Sequence, residues 1–182
     1  MAFARGDRAG AEAEVARVEA AQPGHPGALA LKGFLILESR DADRWEAAKE
    51  VFHQLKKEVE ESRGGRDKEN YANLALGNIF LHTANKEVKP GDKEAIAKLE
   101  RRLDMALESF KKVLRRAPGN IYAANGVGCC LAGLDLLDEA REVFLQVQEG
   151  ARAARGATHL LPDPSLNLGH VYLAMGRPQD AV

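Results

Sequence analysis

The sequence predicts an all-α protein, a right-handed α-solenoid of paired helices, present as a fragment cut mid-repeat at both ends. Three observations predict it. Apolar residues recur at helical spacing: Ala140, Phe144 and Val147 stand at i, i+4 and i+7, one buried stripe of a helix. The same trio recurs as Ala106, Phe110, Val113, as Ala48, Phe52, Leu55 and as Ala11, Val15, Val18, and both Ala106 to Ala140 and Phe110 to Phe144 are steps of 34 residues. Aromatic residues make up only 5% of the chain while alanine is frequent, which favours helices packed through small side chains over a sheet-based core.

Other residues keep the same register. Gly128 precedes Ala140 by twelve residues, and Gly169 precedes Ala181 by twelve, so each pair puts two small residues where paired helices cross. Pro118 and Pro23 follow Ala106 and Ala11 by twelve residues and close the second helix of their pairs. A period of 34 with these features is the tetratricopeptide pattern.

The elements follow in order. Residues 1–25 read as half a repeat: a second helix over about Arg8 to Ala21, closed by Gln22-Pro23-Gly24, its partner expected upstream. Residues 26–60 form a repeat. PGALALKGFLILE is its first helix, with Gly33 at the crossing, and RWEAAKEVFHQLKKEVEE its second. The turn over 39–43 offers Asp41 or Asp43 as a cap. Fifteen residues separate Gly33 from Ala48, three beyond the standard spacing, so this turn is enlarged. Residues 61–68, ESRGGRDK, read as a flexible charged loop. Residues 69–120 form a repeat with a charged insert at 83–102, because Gly77 and Ala106 stand 29 residues apart. Lys89-Pro90-Gly91 breaks the chain, Asp92 can cap a new helix, and the apolar pattern then runs without interruption to Arg116. That helix is therefore extended at its N-terminal end and expected to project. Residues 121–155 form the next repeat, with helices over about Asn120 to Ala132 and Leu137 to Gln148. Residues 163–182 supply the first part of another: a helix, a turn at Gly176-Arg177-Pro178 and the start of a second helix at Ala181.

Composition narrows the function classes. A net charge of −1 gives no global field toward nucleic acid or an anionic membrane. No apolar run approaches the roughly 18 residues of a spanning helix, and MAFARGDRAG lacks a signal-peptide core. Neither direct nucleic-acid binding nor a membrane is expected. Cys129 and Cys130, the only two cysteines, are adjacent in one helix and suit a reducing compartment. They diverge by about 100° around the helix, so they cannot share one zinc, and Cys130 is expected to face the partner helix and Cys129 the inner surface.

No catalytic residue, cofactor site or metal site emerges. Gly126-Val127-Gly128 looks like part of a phosphate loop, but it has no preceding strand and sits inside a helix, so it reads as a packing seam. None of His25, His53, His82, His159 and His170 makes an i, i+4 pair with another. Glu94, Lys98, Glu100, Arg101, Arg102 and Asp104 read as a solvated face with i, i+4 support. Lys111, Lys112, Arg115 and Arg116 sit at a helix C-terminus, where positive charge suits the macrodipole. What remains is the inner surface lined by the first helices. The protein-binding candidates there are Tyr71, Leu74, Asn78, Tyr122, Asn125, Leu166 and His170, with Leu81, Cys129 and Leu173 beside them. The mixture of apolar and amide groups suits an extended peptide, whose backbone Asn78 and Asn125 can bond.

YANLALGNIFL, the charged insert, LESFKKVLRRAPGNIYAANGVGCCLA, EAREVFLQVQE and LNLGHVYL together resemble the tetratricopeptide subunits of the polymerase-associated factor (Paf) complex. The likeness covers about residues 69–182, and Tyr122-Ala123-Ala124-Asn125-Gly126 after the long insert is its most specific part. It implies a non-enzymatic nuclear scaffold that holds other Paf-complex subunits, contacts the RNA polymerase II elongation machinery and supports histone modification. Two other classes fit generic repeats: a co-chaperone that grips acidic peptide tails, or the regulatory repeat region of a larger enzyme. The first needs Lys, Asn and Arg at groove positions where Ala30, Phe34, Gly126 and Tyr122 stand. The second needs a catalytic domain elsewhere in the chain.

Overall fold

The computed structural model describes residues 7–38, 44–61, 66–84, 91–153 and 164–181. Among them the regular structure is helical throughout: α1 (Arg8–Ala21), α2 (Pro26–Glu38), α3 (Trp45–Glu61), α4 (Arg66–Ala84), α5 (Lys93–Arg116), α6 (Ile121–Gly133), α7 (Leu137–Ala153), α8 (Pro164–Ala174) and a 3₁₀ turn over Pro178–Ala181. The expected turn over 39–43, the Lys89-Pro90 break and the stretch 154–163, with His159, lie outside the described residues. The chain packs as two compact units, Met1–Leu76 and Gly77–Val182.

Helix starts follow from capping side chains. Asp7, Asp92 and Asn120 each accept a hydrogen bond from the backbone N–H three residues on, at 2.8, 3.0 and 2.9 Å, and so satisfy one of the free donors of α1, α5 and α6. Two helix ends share one form. Leu136 N–H donates to Leu131 O at 3.0 Å after α6, and Arg177 N–H donates to Tyr172 O at 2.8 Å after α8. The residue before each donor has left-handed backbone, Asp135 at φ 61° and Gly176 at φ 70°. Leu131 and Tyr172 precede these ends at matching positions relative to Gly128 and Gly169.

In the first unit the core holds Ala11 and Val15 of α1, Leu35 of α2 and Ala48, Phe52 and Leu55 of α3. Gly33 lies against the Phe52 ring, where an added Cβ would stand 2.5 Å from Cζ. In the second unit Phe110 is fully buried between two glycines: a Cβ at Gly77 would meet its ring at 2.7 Å and one at Gly126 at 2.5 Å. Phe144 is covered likewise by Gly128, where a Cβ would come within 2.6 Å. A ring can approach another helix's backbone this closely only where there is no side chain, which is why glycine recurs here.

Three expectations are corrected. The segment 61–68 is not all loop, because α4 already begins at Arg66, immediately after the Gly64-Gly65 pair. The last described element is a 3₁₀ turn over Pro178–Ala181, so helical turning already begins at Pro178, three residues before Ala181. Arg102 is only half-exposed and departs from the solvated face: its guanidinium donates to Thr83 O in the last turn of α4, where carbonyls lack helical partners. The N-terminal turns of α5 are open, and no side chain from Lys93 to Glu100 is buried. Burial begins at Leu103, which lies over Gly133 at the end of α6.

Candidate protein-binding surface

The packing stripes determine what each helix leaves outside. In α6 the buried set is Ala123, Gly126, Val127, Gly128 and Cys130. Tyr122, Asn125 and Cys129, at i, i+3 and i+7, therefore occupy the other side. Tyr122 is 41% exposed, and Asn125 and Cys129 are half-buried. In α8, Leu168 and Val171 turn inward, and Leu166, His170 and Leu173 are exposed, Leu166 at 61%.

α6 and α8 are joined across this surface. The Asn167 side-chain amide donates to Asn125 Oδ1 at 2.9 Å, a contact between residues 42 apart in sequence. Gln148 of α7 donates to Ser165 Oγ at 3.0 Å and ties the start of α8 to the second helix of the preceding pair. Beside the amide pair lies a hollow of about 160 Å³ lined by Cys129, Ala132, Leu137, Phe144, Asn167, His170, Val171 and Ala174. Its wall carries no carboxylate, lysine or arginine. Burial pushes the Cys129 thiol up to about 11, so the sulfur is neutral near pH 7.

The sequence-derived candidates fall differently on the two units. In the first, Tyr71 and Leu74 are half-buried. The Tyr71 ring meets Phe52 edge-on at 5.8 Å and 66°, and burial raises its hydroxyl to about 12. In the second, Asn78 is exposed on α4, and Tyr122, Asn125, Leu166 and His170 lie on α6 and α8. Asn125 is the candidate bonded across helices, and its partner Asn167 was not among them. The signal for Asn167 was weak, because Asn125 precedes its crossing glycine by three residues and Asn167 precedes Gly169 by two.

Among the described residues, no group of three or more His, Cys, Asp or Glu side chains could hold a metal ion. No described helix is long and apolar enough to cross a membrane. The basic end of α5 is partly neutralised by Glu108, which lies 3.9 Å from Lys111 and 3.5 Å from Arg115.

The described residues define a class: helical proteins in which paired helices pack ring against glycine and leave a mixed apolar and amide surface exposed. No family model matches the chain. Curated relatives narrow the class further. Over 153 residues, 84% of this chain, it is 40% identical to "Protein CTR9 homolog" of Arabidopsis thaliana, of which the aligned stretch covers 13%. It is 36% identical over 104 residues, 57% of the chain and 8% of the relative, to "RNA polymerase-associated protein CTR9" of Caenorhabditis elegans. The protein of that name in Saccharomyces cerevisiae is 29% identical over 105 residues, 58% of the chain and 9% of the relative. The chain is similar to a segment of these CTR9 proteins and spans about an eighth or less of their length.

Proposed function

We propose that this chain is a tetratricopeptide-repeat segment of a non-catalytic scaffold in the Paf complex, acting in RNA polymerase II elongation and associated histone modification in the nucleus. The observation that carries the reading is the 40% identity along most of the chain to a CTR9 homologue, with worm and yeast relatives named for RNA polymerase association. Packing adds support. Phe52, Phe110 and Phe144 each lie against glycine of a neighbouring helix, as a stack of helix pairs requires. The repeats in this reading are 26–60, 69–120 and 121–155, with a half repeat at 1–25 and the first part of another at 163–182. Partners are other Paf-complex subunits and the elongation machinery, held in part by Tyr71, Leu74, Asn78, Tyr122, Asn125, Leu166 and His170. A solenoid serves this role because its surface grows with each repeat, so several partners can bind at once.

Affinity purification of the tagged full-length protein from its own cells tests the reading. Recovery of elongating RNA polymerase II with the other Paf-complex subunits is expected. Recovery of chaperones alone would overturn it and revive the co-chaperone class.

A further inference from the structure

The hollow between α6 and α8 has a more specific chemistry than the surface around it. Most of its lining is apolar: Ala132, Leu137, Phe144, Val171 and Ala174. Its volume of about 160 Å³ compares with engineered cavities of about 150 Å³ that admit a benzene ring. Asn167, which lines it, gives an N–H to the neighbouring Asn125 Oδ1 and keeps its own carbonyl oxygen free. The Asn125 amide N–H₂ has only a long 4.0 Å approach to Cys129 Sγ, so its donors are nearly free. The asparagine pair thus offers one unused donor group and one unused acceptor, the complement of the C=O and N–H of a peptide backbone.

We propose that this hollow is a subsite for one uncharged apolar side chain of an extended partner peptide, whose flanking main-chain amides bond to Asn125 and Asn167. The inference rests on the reading of this surface as protein-binding and adds the chemistry of what it takes. A carboxylate entering the hollow would meet no lysine or arginine and would lose its water against a mostly apolar lining, which costs more than burying a leucine gains. The subsite therefore selects against acidic anchors. Side chains up to the size of leucine or phenylalanine fill it. Glycine leaves it empty and gains only the amide bonds.

The test needs no natural partner. N-acetyl-leucine N-methylamide carries one apolar side chain between two amides, and its glycine and aspartate counterparts differ only in that side chain. Titrated into the chain and followed by NMR, the leucine probe is expected to shift the side-chain amide signals of Asn125 and Asn167 and the methyl signals of Ala132 and Ala174, saturating in the millimolar range. The glycine probe should bind about tenfold or more weakly, and the aspartate probe should leave these signals in place. Ala174→Leu, a change at an exposed position, fills the hollow and should abolish the response while the rest of the spectrum persists. Equal responses to leucine and glycine, a response confined to other residues, or none at all would overturn the inference. Copurification with the polymerase alongside a silent titration counts against the subsite alone. A positive titration without copurification counts against the assembly reading alone.

Discussion

Gly126→Ala measures how closely helices and rings are fitted in the second unit. The added methyl would stand 2.5 Å from Cζ and 2.6 Å from both Cε1 and Cε2 of Phe110, more than an ångström inside ordinary contact. The ring cannot retreat, since Phe110 is fully buried and Gly77 covers it so closely that a Cβ there would also fall 2.7 Å from the ring. Overpacking of this kind costs about 1–3 kcal/mol. Replacing a helical glycine by alanine returns about 1 kcal/mol of propensity. With three ring atoms overlapped and the ring held from both sides, the cost falls in the upper half of that range, so the net expectation is a loss of about 1–2 kcal/mol. Phe110→Leu shortens the ring and relieves the overlap, so in the double variant the two losses should fail to add by about 1 kcal/mol or more. Urea unfolding of the four proteins, followed by helical circular dichroism, supplies the cycle. Gly126→Ala as stable as the parent, or losses that simply add, would refute the packing argument.

Other substitutions separate neighbouring causes. Gly150→Ala, whose methyl would meet Ile121 Cγ2 at an ordinary 3.4 Å, should raise stability by about 0.5–1 kcal/mol in the same assay. Asp135→Gly relieves the left-handed backbone after α6 and should stabilise by up to about 1 kcal/mol, while Asp135→Val at the same φ should destabilise. Asn167→Ala removes the bridge to Asn125 and should cost about 0.5–1.5 kcal/mol. Burial raises Cys129 to about 11 and Cys130 to about 12, above the ordinary thiol value, so the unfolded chain releases these protons first as pH rises. The stability these thiols contribute is fully present below about pH 8.5 and falls from there to about pH 12. Cys129→Ala should flatten part of that fall, and a parent whose midpoint holds level across the window would contradict the burial of these thiols.

Features that depend on one helix were legible in sequence. The limits of α1 follow from its apolar stripe and the Gln22-Pro23-Gly24 stop, and the starts of α5 and α6 follow from Asp92 and Asn120. Ala48, Phe52 and Leu55, like Ala140, Phe144 and Val147, proved buried because a stripe at helical spacing has one face to bury. Features that depend on two helices were less legible. Arg102 carries the same charge as Arg101, and only the nearby end of α4 decides that one of them bonds to Thr83 O. Asn167 has no repeat-register mate in Asn125, so their contact emerges from how α8 packs on α6 and α7. The start of α4 was hidden because Gly64-Gly65 argues for a loop while the charged residues after it serve equally well in a first helical turn.

The most direct test of the account is photo-crosslinking in the full-length protein within its own cells. A photoreactive phenylalanine analogue in place of Tyr122 or Leu166, both exposed, should become joined to a subunit of the RNA polymerase II elongation assembly. Adducts with chaperones alone, or no adduct from either position while the protein remains folded, would contradict it.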